Sequence, residues 1–303
     1  MEVELMWIYV VLCCCLNCGT FQPVNGDLIV NVRNQGGESY KQTIRANLEN
    51  ETVVLNFDSY DGSSTTLVID FRNEIQVVRH VRLGDQDESD LMLNSVDEYE
   101  GLKNGKTRRD VSNSYAVYKS YCFVTKFKNN EFIPVDAMAK LRQKNPWSLR
   151  TPERTEASQN VSFDILLDPT ACDWISPSIR LYCASNDSLA TTTYAIKMEV
   201  SERAVNPEEY LRAVRDVRID HLLNCAHSDG PCLCTTPICI GWYPCALKFC
   251  RARSNGVNGT VTTSNNNVQN NVVDNMKTYR CGIHTCRICR NYLFGVTDQR
   301  ECV

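Results

Sequence analysis

The chain has 303 residues, 43% of them hydrophobic and 22% charged, which is enough apolar material to bury the cores of two ordinary domains. Its net charge of −4 excludes the strongly basic balance typical of general nucleic-acid binders, so no nucleic-acid partner is expected. Its 17 cysteines exceed what a reducing compartment usually tolerates and favour an oxidising one.

Residues 1–26 are predicted to be a signal peptide. The apolar block from Met6 to Leu16 has the length of a signal-peptide core and is too short to span a membrane. Cleavage after Gly26 would leave Val24 and Gly26 at the positions that require small residues. The alternative is an N-terminal apolar strand of a cytosolic protein, and two glutamates near the start favour it. Because no other segment resembles a membrane anchor, we expect a secreted, extracellular chain.

Cysteine usage and glycosylation motifs also favour secretion. Four cysteines lie in the leader, so the mature chain keeps 13. The secretory pathway oxidises thiols, and the dense run CLCTTPICIGWYPCALKFC at 232–250 is therefore predicted to be a disulfide framework. Four Asn-x-Ser/Thr sequons are expected to carry glycans: Asn50, Asn160, Asn186 and Asn258.

A zinc site is the alternative interpretation of the same run. Its thiolates would come from Cys232, Cys234, Cys245 and Cys250, with His227 or His284 as a further ligand. Oxidation competes with metal binding in the secretory pathway, so the disulfide interpretation is preferred. No metal and no other cofactor is expected.

The cysteine-free stretch 27–121 is predicted to form strands. LIVNV, TVVLNF, TTLVIDF and IQVVRHV are short β-branched runs that are separated by the turn signals NQGG and YDGSS. Residues 84–113 are polar and are predicted to be a long exposed loop. The loop ends in Lys106, Arg108 and Arg109, where a basic-specific protease could cut, although a solvated loop is preferred.

The first predicted helix is IPVDAMAKLRQKNP, which follows the strand YKSYCFVTKF. Pro134 suits its first turn and Pro146 ends it. Its core-facing side is expected to carry Val135, Met138 and Leu141. Its exposed side is basic, and a solvated face is preferred there to a heparin site at Lys140, Arg142 and Lys144.

The second predicted helix is NPEEYLRAVRDVRIDHLLNC. Asn206 caps it and Pro207 occupies its first turn. Its apolar face is expected to carry Tyr210, Val214 and Val217. Residues 254–276 are rich in asparagine and are predicted to be a disordered surface insert.

No enzymatic motif is present, and we expect no enzyme. The four histidines, His80, His221, His227 and His284, are scattered, and His221 is assigned a structural role on the second helix. The CRIC run at Cys286–Cys289 has the spacing of a redox pair, but no βαβ pattern surrounds it. A structural disulfide is preferred there, and a disulfide oxidoreductase is kept as an alternative.

Three segments in order resemble the out at first family of secreted proteins: YCFVTKFKNNEFIPVDAMAKLRQKNP, GWYPCALKFC and YRCGIHTC. The resemblance covers nearly the whole mature chain, and the two long polar inserts look like additions to shorter members. It implies ten paired cysteines: Cys122, Cys183, Cys225, Cys232, Cys234, Cys245, Cys250, Cys281, Cys286 and Cys302. Cys172, Cys239 and Cys289 are extra. A Cys239–Cys289 bridge would leave Cys172 alone, as a free thiol or as the link of a covalent dimer.

A second resemblance lies within the first. LVIDFRNEIQVV, YCFVTKF, a helix and SIRLYC follow the plan of a BRICHOS domain, an antiparallel sheet with two helices. The resemblance implies a Cys122–Cys183 disulfide and a buried Asp70 that senses pH and loosens the domain; an exposed strand carboxylate is the alternative. The expected fold is therefore α+β, with a BRICHOS-like domain at 27–200 and a small disulfide-rich domain at 201–303.

The expected function is non-enzymatic extracellular binding, as a signalling ligand or developmental modulator. The partner would be an extracellular protein, either a receptor or a client. Trp242 and Tyr243 could anchor that contact, or else they pack over the disulfides. The alternative that the second resemblance implies is a chaperone for β-prone clients.

Overall fold

The computed structural model describes residues 27–33, 37–59, 61–83, 118–127, 131–142, 145, 147–184, 191–204, 206–228, 230–251 and 278–302. Several predictions fall outside the described residues: the signal peptide, both polar inserts with the basic site at 106–109, and the sequons Asn186 and Asn258. In the described part, no helix is long and apolar enough to cross a membrane.

The described chain is mostly β-sheet, with a disulfide-rich C-terminal region. The strands are β1 (Leu28–Arg33), β2 (Ser39–Asn47), β3 (Thr52–Asp58), β4 (Ser64–Asp70), β5 (Ile75–Leu83), β6 (Tyr118–Lys126), β7 (Leu149–Arg150), β8 (Arg154–Thr155), β9 (Gln159–Phe163), β10 (Ile165–Leu167), β11 (Thr191–Ala195), β12 (Val214–Asp216), β13 (Cys232–Arg251) and β14 (Thr278–Val296). The helices are short: α1 (Val135–Ala139), α2 (Pro177–Cys183), α3 (Lys197–Ser201) and α4 (Pro207–Ala213).

The larger sheet has ten strands among the described residues, in the order β12-β10-β11-β6-β5-β4-β3-β2-β1-β7. Strands β1 to β6 form an antiparallel meander, while β11 joins β6 and β7 joins β1 in parallel. The predicted strands of the cysteine-free stretch all lie here, and the YDGSS signal is the β3–β4 turn. Gly62 has φ +79° in that turn, a conformation that glycine adopts without strain.

The second sheet is built on a long hairpin. Strand β13 has 20 residues and pairs antiparallel with β14, which has 19. The short strands β8 and β9 pair with β14 in parallel, although they precede it by more than a hundred residues. Segments from both sides of residue 200 therefore share this sheet.

Alternation along the central strands decides which layer each side chain faces. Leu67 and Ile69 on β4 face the hairpin sheet and join its apolar core, whereas Val68 between them faces the layer of α2. On β6, Phe123 packs its ring 4.8 Å from Tyr292 of β14, while the neighbouring Cys122 faces α2. The larger sheet is thus a middle layer that is covered on both faces.

The predicted division at residue 200 stays a prediction. The packing adds that residues on either side of it contribute to one apolar core. The second sheet buries its inner face against the first, and α1 packs into the same core through Ala137 and Met138.

The second predicted helix is wrong over most of its length. Helix α4 begins where the Asn206 cap indicates but ends at Ala213, because Val214–Asp216 forms β12 and pairs with β10. Pairing at the sheet edge satisfies the backbone of this short segment, so tertiary context overrides its helical pattern. His221 lies in a turn rather than on a helix.

The first predicted helix forms, but α1 has only five residues. Its core-facing side is as expected, since Met138 is buried and both Val135 and Leu141 pack partly buried against the core. Helix α2 is absent from the prediction. Its signal is the pair Ser176–Pro177, in which the serine caps the helix and the proline occupies the first turn.

His80 on β5 is buried in the larger sheet. Its Nδ1 lies 2.9 Å from the hydroxyl oxygen of Thr65 on the neighbouring strand. Burial lowers the pKa of His80 to about 4, and the charge of Arg82 lowers it further, whereas Asp61 opposes the shift. The histidine is therefore neutral in the folded chain across a range where the unfolded chain binds a proton.

We predict that this histidine makes the fold acid-sensitive. Its contribution to the free energy of unfolding is present above the unfolded pKa of 6.5 and is lost as the pH falls towards about 4. The loss between about pH 7.5 and pH 5 should be roughly 2 kcal/mol. Urea unfolding of the wild-type chain and of His80→Gln at both pH values measures it. An equal pH dependence in the two proteins would contradict the prediction.

Candidate functional site

The cysteine framework contains six disulfides among the described cysteines: Cys122–Cys183, Cys225–Cys232, Cys234–Cys302, Cys239–Cys289, Cys245–Cys286 and Cys250–Cys281. The structure joins Cys122 to Cys183, the pair that the BRICHOS resemblance implies. It also contains the added Cys239–Cys289 bridge. The sequence leaves the pairing of the other tail cysteines open. In the structure, two of these disulfides join β13 to β14, and two attach the segments on either side of the hairpin.

The alternatives of a zinc site and a redox pair do not match this framework. Each of the four cysteines of the zinc alternative is bonded to another cysteine, so none is a thiolate. No group of three or more metal-ligating side chains comes together in the described part of the chain. In the CRIC run, Cys286 is bonded to Cys245 and Cys289 to Cys239, so the two cysteines do not form a pair with each other.

Three disulfides cross the hairpin as successive rungs, and two more fasten its base. Cys239–Cys289, Cys245–Cys286 and Cys250–Cys281 link β13 to β14 along its length. Cys225–Cys232 and Cys234–Cys302 attach the segments before and after the hairpin. A hairpin cross-linked in this way cannot splay or change register without breaking a covalent bond.

Trp242 and Tyr243 are buried, with 7% and 1% of their surface exposed. The Tyr243 ring packs 5.4 Å from Phe132, and the backbone carbonyl of Trp242 accepts a hydrogen bond from the Gln42 side chain. Both aromatics therefore belong to the apolar core between the sheets, and little of either side chain is exposed to a partner.

Gly241 precedes this aromatic pair at a close approach between the sheets. A Cβ at this position would lie 1.8 Å from the Tyr40 hydroxyl oxygen of the larger sheet. Only glycine leaves room for the Tyr40 side chain, which explains why the hairpin carries a glycine in the middle of a buried run.

Asp70 is buried on the opposite face of the larger sheet, where the sheet meets α2. It stands at the end of β4 with 2% of its surface exposed. Its Oδ1 accepts the backbone N–H of Asn73 at 3.0 Å, and its Oδ2 accepts the Asn73 side-chain amide at 2.8 Å. The same Oδ2 accepts the hydroxyls of Ser176 and Ser178 at 2.6 and 3.2 Å. Four donors thus converge on one carboxylate.

This carboxylate anchors the start of α2 to the sheet. Ser176 caps the helix by accepting the backbone N–H of Ser178, while its own hydroxyl donates to Asp70. The far end of the helix is held by the Cys183–Cys122 disulfide to β6. A helix of seven residues is too short to be stable alone, so these two attachments hold it on the sheet.

Asn73, Ser176 and Ser178 form this site with Asp70 but were absent from the sequence prediction. Asn73 follows Asp70 by three residues in a turn, and this spacing is a weak sequence signal for a hydrogen bond between the two. The serines lie more than a hundred residues away, and nothing in the spacing brings them to β4.

Cys172 is the free cysteine of the described chain, and it is buried. Its thiol donates to the Asp168 backbone carbonyl at 2.9 Å, and burial raises its pKa to about 12. A buried, protonated thiol reacts slowly unless the chain opens, and the covalent dimer stays a prediction.

Two sequons are described, and both asparagines are exposed. Asn50 lies in the β2–β3 turn. Asn160 lies on β9, where its Oδ1 accepts a hydrogen bond from Asn291 at 2.9 Å. Both are at the surface, as a glycan site must be. Glycosylation itself stays a prediction.

We predict that Asp70→Asn destabilises the chain. The substitution removes the charge and replaces one acceptor oxygen by an NH₂ group that faces donors, which should lower the free energy of unfolding by about 1 to 3 kcal/mol. The matched control is Asp58→Asn, at an exposed position at the end of β3, with an expected change below about 0.5 kcal/mol. Urea unfolding of the three proteins measures both changes, and equal values for the two variants would refute a structural role for Asp70.

Comparison with known proteins places these features in one family. The chain matches the family model described as Out at first over residues 26–96 and 109–202. It matches the model described as Out at first, C-terminal over residues 222–303. The gap in the first match lies within the polar insert 84–113.

Two curated relatives cover nearly the same part of the chain. The Out at first protein of Drosophila virilis is 31% identical over 286 residues, which are 92% of this chain and 82% of the relative. The Out at first protein of Drosophila melanogaster is 29% identical over 286 residues, and the chain spans about half, 52%, of its length. No solved structure matches the chain. On these matches, which extend over both the Asp70 layer and the disulfide-linked hairpin, the chain belongs to the Out at first family.

Proposed function

We propose that the chain is a secreted, non-enzymatic glycoprotein that binds an extracellular protein, as a signalling ligand or developmental modulator. The observation that carries this proposal is the covalently cross-linked hairpin. A framework of this density persists in oxidising compartments, which supports a location outside the cell. A rigid hairpin also presents its exposed residues to a partner with little loss of conformational entropy on binding.

The distal end of the hairpin offers the contact that Trp242 and Tyr243 cannot. Phe249 on β13 and Tyr279 on β14 are 62% and 54% exposed. They flank the Cys250–Cys281 disulfide, which fixes the two strands at this point. Exposed aromatic side chains on a rigid support are typical anchors of a protein–protein interface. We call this pair the aromatic tip.

We predict that the double variant Phe249→Ala, Tyr279→Ala binds its cellular partner at least about tenfold more weakly. The measurement is saturable binding of labelled secreted chain to cultured animal cells, competed by unlabelled chain. The control is Leu211→Ala with Leu223→Ala, two exposed apolar residues outside the hairpin. Binding by the wild-type chain that does not saturate, or an equal loss in the control, would overturn the proposal.

A BRICHOS-type chaperone is the second candidate, and the attachment of α2 favours it. This helix covers part of one face of the larger sheet, where Val68, Val77 and Val124 are buried. Its N-terminal end depends on the Asp70 hydrogen bonds. Loosening that end would uncover β-branched side chains suited to an extended β-prone client.

We predict for this candidate that the secreted chain delays fibril formation by a synthetic amyloid-forming peptide at substoichiometric concentration. Ser176→Ala removes one hydroxyl donor from Asp70 and the cap of α2, so it should strengthen the delay by loosening the helix. Thioflavin fluorescence records the lag time, with Ser148→Ala at a surface turn as the control. An unchanged lag time at equimolar chain would remove this candidate.

A further inference from the structure

A basic groove runs between α1, the start of β1 and the distal half of the hairpin. Its cavity has a volume of about 310 Å³, with apolar contacts from Leu28, Trp242 and Ile283 on its floor. Arg142 and Arg150 line it, one after α1 and the other on β7. We use the name basic groove for this cavity and the cations at its rim.

The first pair of rim cations shares one carboxylate. Lys140 Nζ lies 3.6 Å from the Asp136 Oδ2, and Arg280 Nη1 lies 3.5 Å from the same oxygen. One negative charge stands against two positive charges here, and all three side chains are well exposed. The pairing brings the end of α1 next to the distal part of β14.

A second pair of basic residues shares the carboxylate of Glu153. Lys248 donates to Oε1 of Glu153 at 2.6 Å, and the Nδ1 of His284 lies 2.9 Å from Oε2. Hydrogen bonds from Lys248 and His284 hold the pKa of Glu153 below its ordinary value, so this carboxylate is ionised at neutral pH. It is the acidic side chain that lines the groove.

The two arginines of the lining have no carboxylate partner in the described part of the chain. The Nη1 of Arg142 donates to the backbone carbonyls of Ala139 and Leu141 at 2.8 and 2.6 Å, which are neutral acceptors. Arg150 forms no ion pair among the described residues. The remaining N–H groups of both guanidinium groups are therefore open to an anionic ligand.

The fold brings further cations close to the basic residues at the end of α1. Lys140 and Arg142 alone are typical of a solvated helix face. The fold adds Arg150, Lys248 and Arg280 from three other elements, although the chain as a whole carries a net charge of −4. A concentration of cations against the overall charge, around a concave surface, indicates a site for a negatively charged ligand.

We propose that the basic groove binds a sulfated polysaccharide. The cations come from the end of α1, β7, β13 and β14, and this spread suits a chain of repeated sulfates better than a single small anion. The guanidinium fork matches the geometry of a sulfate oxygen pair, as it matches phosphate and carboxylate. The apolar side chains of Leu28 and Ile283 suit contact with the faces of sugar rings. The proposal rests on the extracellular location proposed above, because such polysaccharides are found there.

The test is binding of the full secreted chain to immobilised heparin at physiological salt. We expect the double variant Arg142→Gln, Arg150→Gln to bind at least about fivefold more weakly and to show a smaller salt dependence. The charge-retaining variant Arg142→Lys, Arg150→Lys should lose less affinity than the glutamine variant, because it keeps both charges but not the guanidinium fork. The matched control is Arg212→Gln with Arg218→Gln, which removes two exposed arginines near the opposite edge of the larger sheet.

Any of these results would overturn the proposal: no binding by the wild-type chain, an equal loss in the control, an equal loss in the lysine variant, or equally tight binding of desulfated heparin. Equal affinity for a DNA oligonucleotide of the same charge would also overturn it, by showing a nonspecific polyanion site. The aromatic-tip variant separates the two proposals. It should keep its affinity for heparin even if its binding to cells is lost or was never present.

Discussion

The rest of the structure depends on the burial of β4, β5 and β6 on both faces. A strand in the middle of two layers presents alternate side chains to different cores, so Leu67 and Val68 belong to different clusters although they are adjacent. A shift of one residue in register would exchange the two sets. Both covering layers are therefore needed to bury the two faces of these strands, and different interactions hold each layer on the sheet.

The two layers are fastened differently because their elements differ in intrinsic stability. The helices on one face have five to seven residues and could not persist alone, so one disulfide and the buried Asp70 carboxylate hold α2 in place. The hairpin on the other face extends beyond the sheet that it covers. Its distal half buries fewer apolar side chains, and two disulfides hold its strands together there.

Sequence reasoning succeeded where local chemistry decides the structure and failed where distant contacts decide it. The β-branched runs, the Asn206 cap and the oxidised framework follow from neighbouring residues. The end of α4 does not, because only the edge of β10 turns Val214 into a strand residue. The burial of Trp242 required knowing that the hairpin lies on the larger sheet. The partners of Asp70 at Ser176 and Ser178 are set by tertiary packing alone.

The same packing sorts the aromatic and basic residues of the hairpin into surfaces of different chemistry. Where the hairpin lies on the larger sheet, its aromatics fill the core; where it extends beyond, Phe249 and Tyr279 remain at the surface. Ile283 of the basic groove and Tyr279 of the aromatic tip are four residues apart on β14, roughly 13 Å along the strand. The Cys250–Cys281 disulfide lies between these two residues on β14. A polyanion in the groove and a protein at the tip would therefore be held side by side on one inflexible strand pair, so the occupant of one site changes the electrostatic field at the other.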